Sequence, residues 1–298
     1  MSTVSDSFSL EHPDNKGFSE SNKLRRLLPQ SIEFSQVQRA FIKEWRHRDK
    51  KKPTTKTIFK ILAPAEHLES FNMYRGEVAL QRSFNFFSSN KANEKLLFHG
   101  TNRMCTLGED RGKAFLCDLL FCSLCSIIQN SFDIGKCGTK HSFRRFGTGI
   151  YTTTCSSKAD GYSTNGDETC QFKAILVNRV VVGNPHKLQI NATPLTKPPK
   201  GRHSVVGRPG KSLAYEETVV YTNDAIRPAY LVIYGDIISQ TRTRVLKKKS
   251  LRPQSEIDSS CSQTNALMEK PAKKNNKLSK KPSHWSSFME DPYSPRTN

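Results

Sequence analysis

The residues of this chain best suited to chemistry stand where apolar runs end. His99 closes "LLF", Tyr151 follows "GI", and Glu216 and Glu217 lie between "LAY" and "TVVY". A carboxylate set in an apolar strand is costly if buried unpaired, so it either faces solvent or is held for a purpose. Held in place, it can stabilise developing positive charge or orient and deprotonate a hydroxyl. Taken singly, each residue has an ordinary explanation: a His before Gly as a turn residue, a Tyr as core, a Glu as surface. Strand alternation puts Tyr215, Glu217, Val219 and Tyr221 on one face and Glu216, Thr218 and Val220 on the other. The pattern alone leaves the choice of inner face open.

A second chemical signal is "FGTGIYTTTCSSKADGY", Phe146–Tyr162, which sets Gly147 and Gly149 beside Tyr151 and Tyr162. Flexible backbone next to two spaced tyrosines is unlike ordinary core sequence. The glycines are not a dinucleotide fingerprint, which needs strand, loop and an apolar-striped helix in that order. A third signal is sulfur. Cys105, Cys117, Cys122 and Cys125 give C-x11-C-x4-C-x2-C, and Cys122, Cys125, Cys137 and His141 give C-x2-C-x11-C-x3-H. Either set would close a tetrahedral structural zinc site. "FLCDLLFCSLCSII" is also apolar enough for a helix whose cysteines are small buried side chains.

The elements that must position these residues are interleaved with tails. Phe34, Val37, Phe41 and Trp45 recur at helical spacing, and "KTIFKIL" reads as a strand. "PAEHLESFNMYRGEVAL" predicts a helix striped by Leu68, Phe71 and Val78, and "SLCSIIQNSF" another. "KLLFHGT", "CQFKAILVNRVVVG", "LAYEETVVY" and "PAYLVIYG" predict strands, whereas "TPLTKPPKGRHSVVGRPGKS" reads as a Pro/Gly-rich loop. Strands dominate the second half, which predicts an α+β domain with largely antiparallel sheets. Residues 1–28 are polar and aperiodic and are expected to be disordered. A domain is expected over 29–238, with a Cys-rich insertion and following loop at 103–141, and a basic disordered tail over 239–298.

The 298 residues carry a formal net charge of +20, and mean hydropathy is −0.61. From Thr241 onward 13 basic and 5 acidic residues give +8, leaving +12 for the rest. Such a tail is either a solvated basic segment or an attachment to a polyanion such as nucleic acid. "LKKKS" and "KKNNKLSKKP" are compatible with nuclear targeting, cytoplasmic residence being the alternative. No apolar run approaches the roughly 18 residues of a membrane span, and the start lacks the pattern of a secretory signal. A soluble, intracellular protein with reduced cysteines is expected.

Four motifs in order, "LLFHGT", "FGTGIYTTTCSSKADGY", "PPKGRHSVVGRPG" and "LAYEETVVY", resemble the catalytic domain of the poly(ADP-ribose) polymerases over about residues 29–236. The wording is most similar to the tankyrase branch, and the Cys-bearing insertion resembles fungal members. "PTTKTIFKIL" and "FNMYRGEV" fit as the domain's first strand and helix. The resemblance implies the ADP-ribosyltransferase, diphtheria-toxin-like fold, with two mainly antiparallel sheets forming a cleft for NAD and helices flanking it. It also implies a triad of His99, Tyr151 and Glu217, acting on NAD as substrate. His99 would bond the adenosine ribose and the Gly100 backbone the nicotinamide amide. Thr101 and Lys158 would join the cofactor-binding set. Tyr151 and Tyr162 would sandwich the nicotinamide ring, and Glu217 would bind the 2′-hydroxyl of its ribose. Arg144 and Arg145, on the loop where the family's donor loop lies, would approach the pyrophosphate; a solvent-facing loop is the alternative.

One position departs from the family pattern. A serine usually follows the lysine of the tyrosine motif, and here Ala159 follows Lys158. Losing one neutral hydrogen bond of roughly 0.5–1.5 kcal/mol should weaken NAD binding rather than abolish it. The resemblance therefore implies an NAD-dependent ADP-ribosyltransferase acting on protein acceptors, with the intact triad favouring polymer over single units. A catalytically silent NAD- or ADP-ribose-binding module and a single-unit transferase are the alternatives. Transfer of an RNA 2′-phosphate on the same fold would call for arginine-rich phosphate contacts instead of these motifs. Only 70 residues precede "FNMYRGEV", so no helical regulatory domain of the DNA-dependent members is expected.

Overall fold

The computed structural model describes residues 23–81, 92–110, 114–137, 143–210 and 212–236. His141 and the basic tail lie outside them, as do residues 1–22. Four helices belong to the described residues: α1 (Ile32–Lys43), α2 (Ala65–Gln81), α3 (Ser123–Asn130) and α4 (Ser156–Asp160). None is long and apolar enough to cross a membrane.

The strands are β1 (Leu24–Arg26), β2 (Thr54–Ile61), β3 (Glu94–His99), β4 (Asn102–Arg103), β5 (Ile150–Thr153), β6 (Thr164–Asn165), β7 (Lys173–Val181), β8 (Pro185–Leu188), β9 (Ser204–Gly207), β10 (Glu217–Val220) and β11 (Ile226–Gly235). Nine of them form one sheet in the order β1-β2-β11-β7-β3-β5-β10-β9-β8, and β4 and β6 form a parallel pair. The large sheet is antiparallel apart from β8–β9.

Alternation along the central strands decides how the core is divided. Leu231 and Ile233 of β11 join Phe59, Leu97 and Leu176 on one face. Val232 and Tyr234 join Ile58, Phe98, Ile175 and Val177 on the other. Helix α3 covers the first face with Leu124, Cys125 and Ile128, and α1 covers the second with Phe34, Val37 and Phe41. Burial on both sides is why β7 and β11 read as unbroken apolar runs rather than as alternating ones. Ser31 starts α1, its Oγ accepting from the Phe34 N–H at 3.2 Å. Phe41 then stacks at 4.9 Å on Tyr234.

Four expectations change. Structure begins before residue 29: Leu24 and Leu27 are buried, and β1 pairs with β2 from Leu24↔Ile61, because two leucines suffice once a strand edge receives them. The Pro/Gly-rich loop contains β9, four buried residues bracketed by β10 and β8. The segment 115–121 is not helical, helix starting only at Ser123. Two separate sheets are replaced by two halves of one sheet, joined between β3 and β5 by the single pair Phe98↔Thr153.

Candidate active site

That thin seam is where the chemical residues meet. His99 is the last residue of β3, and Tyr151 lies on β5 across the seam. The His99 ring Nδ1 is 2.8 Å from the Tyr151 carbonyl oxygen. A carbonyl only accepts, so Nδ1 carries a proton in this contact. Glu217 opens β10 and is in register with Thr153, the residue that also pairs with Phe98. One line of register therefore runs from the end of β3 to the carboxylate.

Beneath the seam lies α4, whose five residues are all buried. It is held by the chain after α1. The Ser156 N–H donates to the Glu44 carbonyl at 3.0 Å, and Ser157 Oγ accepts from the N–H groups of Arg46 and His47 at 2.9 and 3.1 Å. Burial pushes the Asp160 carboxyl up, but hydrogen bonds from Lys173 and Lys50 outweigh it and hold the group below its ordinary value. Tyr234 also donates to Asp160, at 2.9 Å.

So anchored, α4 delivers Lys158 to Glu217. Lys158 is 1% exposed and Glu217 8%; Nζ stands 2.9 Å from Glu217 Oε1 and donates to the Tyr215 carbonyl at 3.1 Å. Glu217 Oε2 is buried with no hydrogen-bond partner, and Arg145 Nε lies 3.9 Å from it. A buried ion pair is expensive in desolvation and contributes little net stability. Here one carboxylate oxygen is ion-paired and the other is buried without a hydrogen-bond partner.

Tyr151 is fixed at its far end. Its hydroxyl accepts from the Phe146 N–H at 2.9 Å and donates to the Gly147 carbonyl at 2.8 Å. Burial pushes the phenol well above its ordinary value. Gly147 has φ +73°, and a Cβ there would lie 1.7 Å from the Leu195 carbonyl oxygen, so this turn requires glycine. Gly100 faces a similar limit, its absent Cβ falling 1.9 Å from the Ala159 carbonyl oxygen. Thr101 follows, half-buried, and Tyr162 lies after α4 with 41% exposure.

The structure thus gathers His99, Gly100, Tyr151, Lys158 and Glu217 about one seam. It pairs Lys158 with Glu217 in the interior, the ammonium also meeting the Tyr215 carbonyl. Ala159 is buried in the core beneath Gly100, with Ser163 Oγ 3.4 Å from its carbonyl oxygen. The two loop arginines separate. Arg144 donates to Thr148 Oγ1 at 2.7 Å on the rim of a cavity of about 450 Å³ with Thr193–Thr196. Arg145 is buried and donates to Asn191 Oδ1 at 2.7 Å, which removes it from a solvent-facing loop. The sequence reading passed over Phe132, whose ring meets His99 edge-on at 5.1 Å; a lone Phe after a helix carries no signal for this.

Cys105, Cys117, Cys122 and Cys125 converge on the other side of β4, with all four sulfurs within 4.8 Å of one another. Cys137 stands apart, its thiol directed to the Asp133 carbonyl at 3.8 Å.

Residues 121–229 match the family model described as Poly(ADP-ribose) polymerase catalytic domain. The matched span takes in Tyr151, Lys158, Tyr162 and Glu217, while His99 and Gly100 lie ahead of it. This segment, a little over a third of the chain, is similar to that catalytic domain.

Proposed function

We propose that this chain is an active ADP-ribosyltransferase that binds NAD across the β3–β5 seam and transfers ADP-ribose to protein acceptors. The observation that carries the reading is the Glu217 carboxylate, with Oε1 held by Lys158 and Oε2 buried without a hydrogen-bond partner. Oε2 is suited to accept the 2′-hydroxyl of the nicotinamide ribose, fixing that sugar beside a negative charge. His99 Nε2 would accept from the adenosine ribose, and the Gly100 backbone would pair with the nicotinamide carboxamide. Tyr151 would supply one face of the ring slot and Tyr162 the other, with Thr101 at its edge.

In the reaction the bond between C1′ and the nicotinamide nitrogen breaks, and its electron pair leaves with neutral nicotinamide. Positive charge gathers on the ribose, where a preorganised carboxylate stabilises the transition state more than the ground state. An acceptor nucleophile then forms the new bond to C1′ and gives up its proton, which Glu217 is placed to take when the acceptor is a hydroxyl.

The retained Glu217 favours chain extension, since the acceptor in that case is a ribose hydroxyl. The motif wording is most similar to the tankyrase branch, and the insertion resembles fungal members. The basic tail favours nuclear residence and contact with nucleic acid. One observation favours a second reading, a silent NAD- or ADP-ribose-binding module: Ala159 brings no hydroxyl to the wall beside Gly100.

Incubation of the purified chain with labelled NAD separates the two. The wild type should release nicotinamide and acquire label, and Glu217→Gln should do so on the order of 10²–10³ times more slowly. Glutamine keeps an acceptor for Lys158, so the fold should persist. Wild-type protein that binds NAD without cleaving it would establish the binding module.

A further inference from the structure

We propose that Cys105, Cys117, Cys122 and Cys125 bind one structural zinc ion, which clasps the chain leaving β3 to the start of α3 and so holds Phe132 against His99.

Sulfur geometry is the first argument. Cys105 Sγ lies 3.6 Å from Cys125 Sγ and 3.9 Å from Cys122 Sγ. A tetrahedron of thiolates at the usual zinc–sulfur distance of about 2.3 Å has edges of about 3.8 Å. The four cysteines are free rather than joined in disulfides. Their sulfurs also lie too close together to enclose a multi-iron cluster. Four thiolate ligands close the coordination sphere, which marks a structural site, and soft ligands of this kind select zinc.

The surroundings supply what thiolates need. The Met104 N–H donates to Cys122 Sγ at 3.3 Å. Cys122 is the N-cap residue of α3, and Cys125 lies in its first turn, where the helix dipole favours negative charge. On binding, each thiol yields its proton to solvent, and no oxidation state changes.

Burial does not account for this loop. Residues 114–119 have no regular structure, and Phe115, Leu119, Leu120 and Phe121 are exposed. Cys105 and Cys117 are only half-buried, unlike thiols that serve as core filler. An irregular, largely exposed segment that nonetheless sets Cys117 against Cys105, Cys122 and Cys125 at the edge of the core is suited to a metal cross-link.

The clasp bears on the seam from two directions. Only five residues lie between His99 and Cys105 along the chain. At the far end of α3, Ser131 turns with φ +63° and presents Phe132 to the His99 ring. The zinc thereby ties both approaches to His99 and makes Phe132 a positioning residue.

Metal content and hydrogen exchange test the two halves of the proposal without any reliance on transferase activity. Full-length protein prepared without chelators should carry about one zinc per chain. Exchange into Co²⁺ should give the absorption bands of a tetrahedral tetrathiolate. Cys117→Ser should lose the metal, and Cys137→Ser should keep it. Wild-type protein that stays metal-poor in excess zinc and shows no cobalt bands would overturn the site, as would equal metal loss from both variants. Stripping the zinc should speed amide exchange over 100–105 and 123–132 and leave β7 and β11 protected. Unchanged exchange in those two segments would overturn the clasp.

Discussion

The Glu217 seam and the cysteine loop lie on either side of His99 and are held by opposite means. Around Glu217 the supports are packing, hydrogen bonds and buried ion pairs. Helix α4 is buried throughout, the chain after α1 wraps it, and Lys158 reaches its partner through the interior. In the cysteine loop the large side chains point outward, Leu120 being 87% and Phe121 71% exposed, and order converges on four sulfurs. The first region can therefore hold a carboxylate oxygen unsatisfied because its neighbours over-determine its place. The second can vary in its apolar surface so long as its sulfurs stay together.

Substitutions that attack packing should separate the two regions most sharply. Lys158→Met leaves Glu217 buried without its cation. Breaking such a pair costs on the order of 3–5 kcal/mol, so denaturant unfolding should show the largest loss of stability here, with transferase activity lost in parallel. Gly100→Ala drives a methyl into the Ala159 carbonyl. Overpacking of this kind costs about 1–3 kcal/mol, and the end of β3 must lift from α4, so KM for NAD should rise more than kcat falls.

Ala159→Ser sharpens the comparison in the other direction. If the added hydroxyl reaches the carboxamide, NAD should bind more tightly by roughly two- to ten-fold, the value of one neutral hydrogen bond of about 0.5–1.5 kcal/mol; calorimetric titration measures it. The smallest effect belongs to the exposed loop. Leu120→Ser should change stability by no more than about 0.5 kcal/mol, read from the midpoint of urea unfolding.

The elements with long apolar patterns were legible in the sequence. Phe34, Val37 and Phe41 marked the buried face of α1, and the runs at 174–181 and 231–234 marked the two central strands. Leu68 was not placed correctly: it is exposed, because α2 turns only Phe71 and Val78 fully inward. Strands β1, β8 and β9 escaped because three or four residues show no period, and Pro and Gly neighbours read as loop. What they contribute comes from the strands they join.

The site divides in the same way. Residue types and order brought His99, Tyr151 and the pair Glu216 and Glu217 forward, since each ends or interrupts an apolar run, and the family resemblance singled out Glu217. The direction of Glu217 was not readable, because both faces of β10 are buried and alternation distinguishes nothing there. Nor was its pairing with Lys158, a contact across 59 positions of sequence that depends on how α4 is seated. Of the two cysteine sets open in the sequence, the structure gathers the one spanning 105–125, because β4 returns Cys105 to the start of α3.

The claim that Glu217 Oε2 is kept open for the substrate is tested most directly with NAD lacking the 2′-hydroxyl on its nicotinamide ribose. Wild-type protein should prefer natural NAD by roughly 10- to 100-fold in kcat/KM for nicotinamide release, the value of a hydrogen bond to a charged group. Glu217→Gln should lose most of that preference. A variant that discriminates as strongly as the wild type would show that another group reads the hydroxyl, and the account of this buried carboxylate would be wrong.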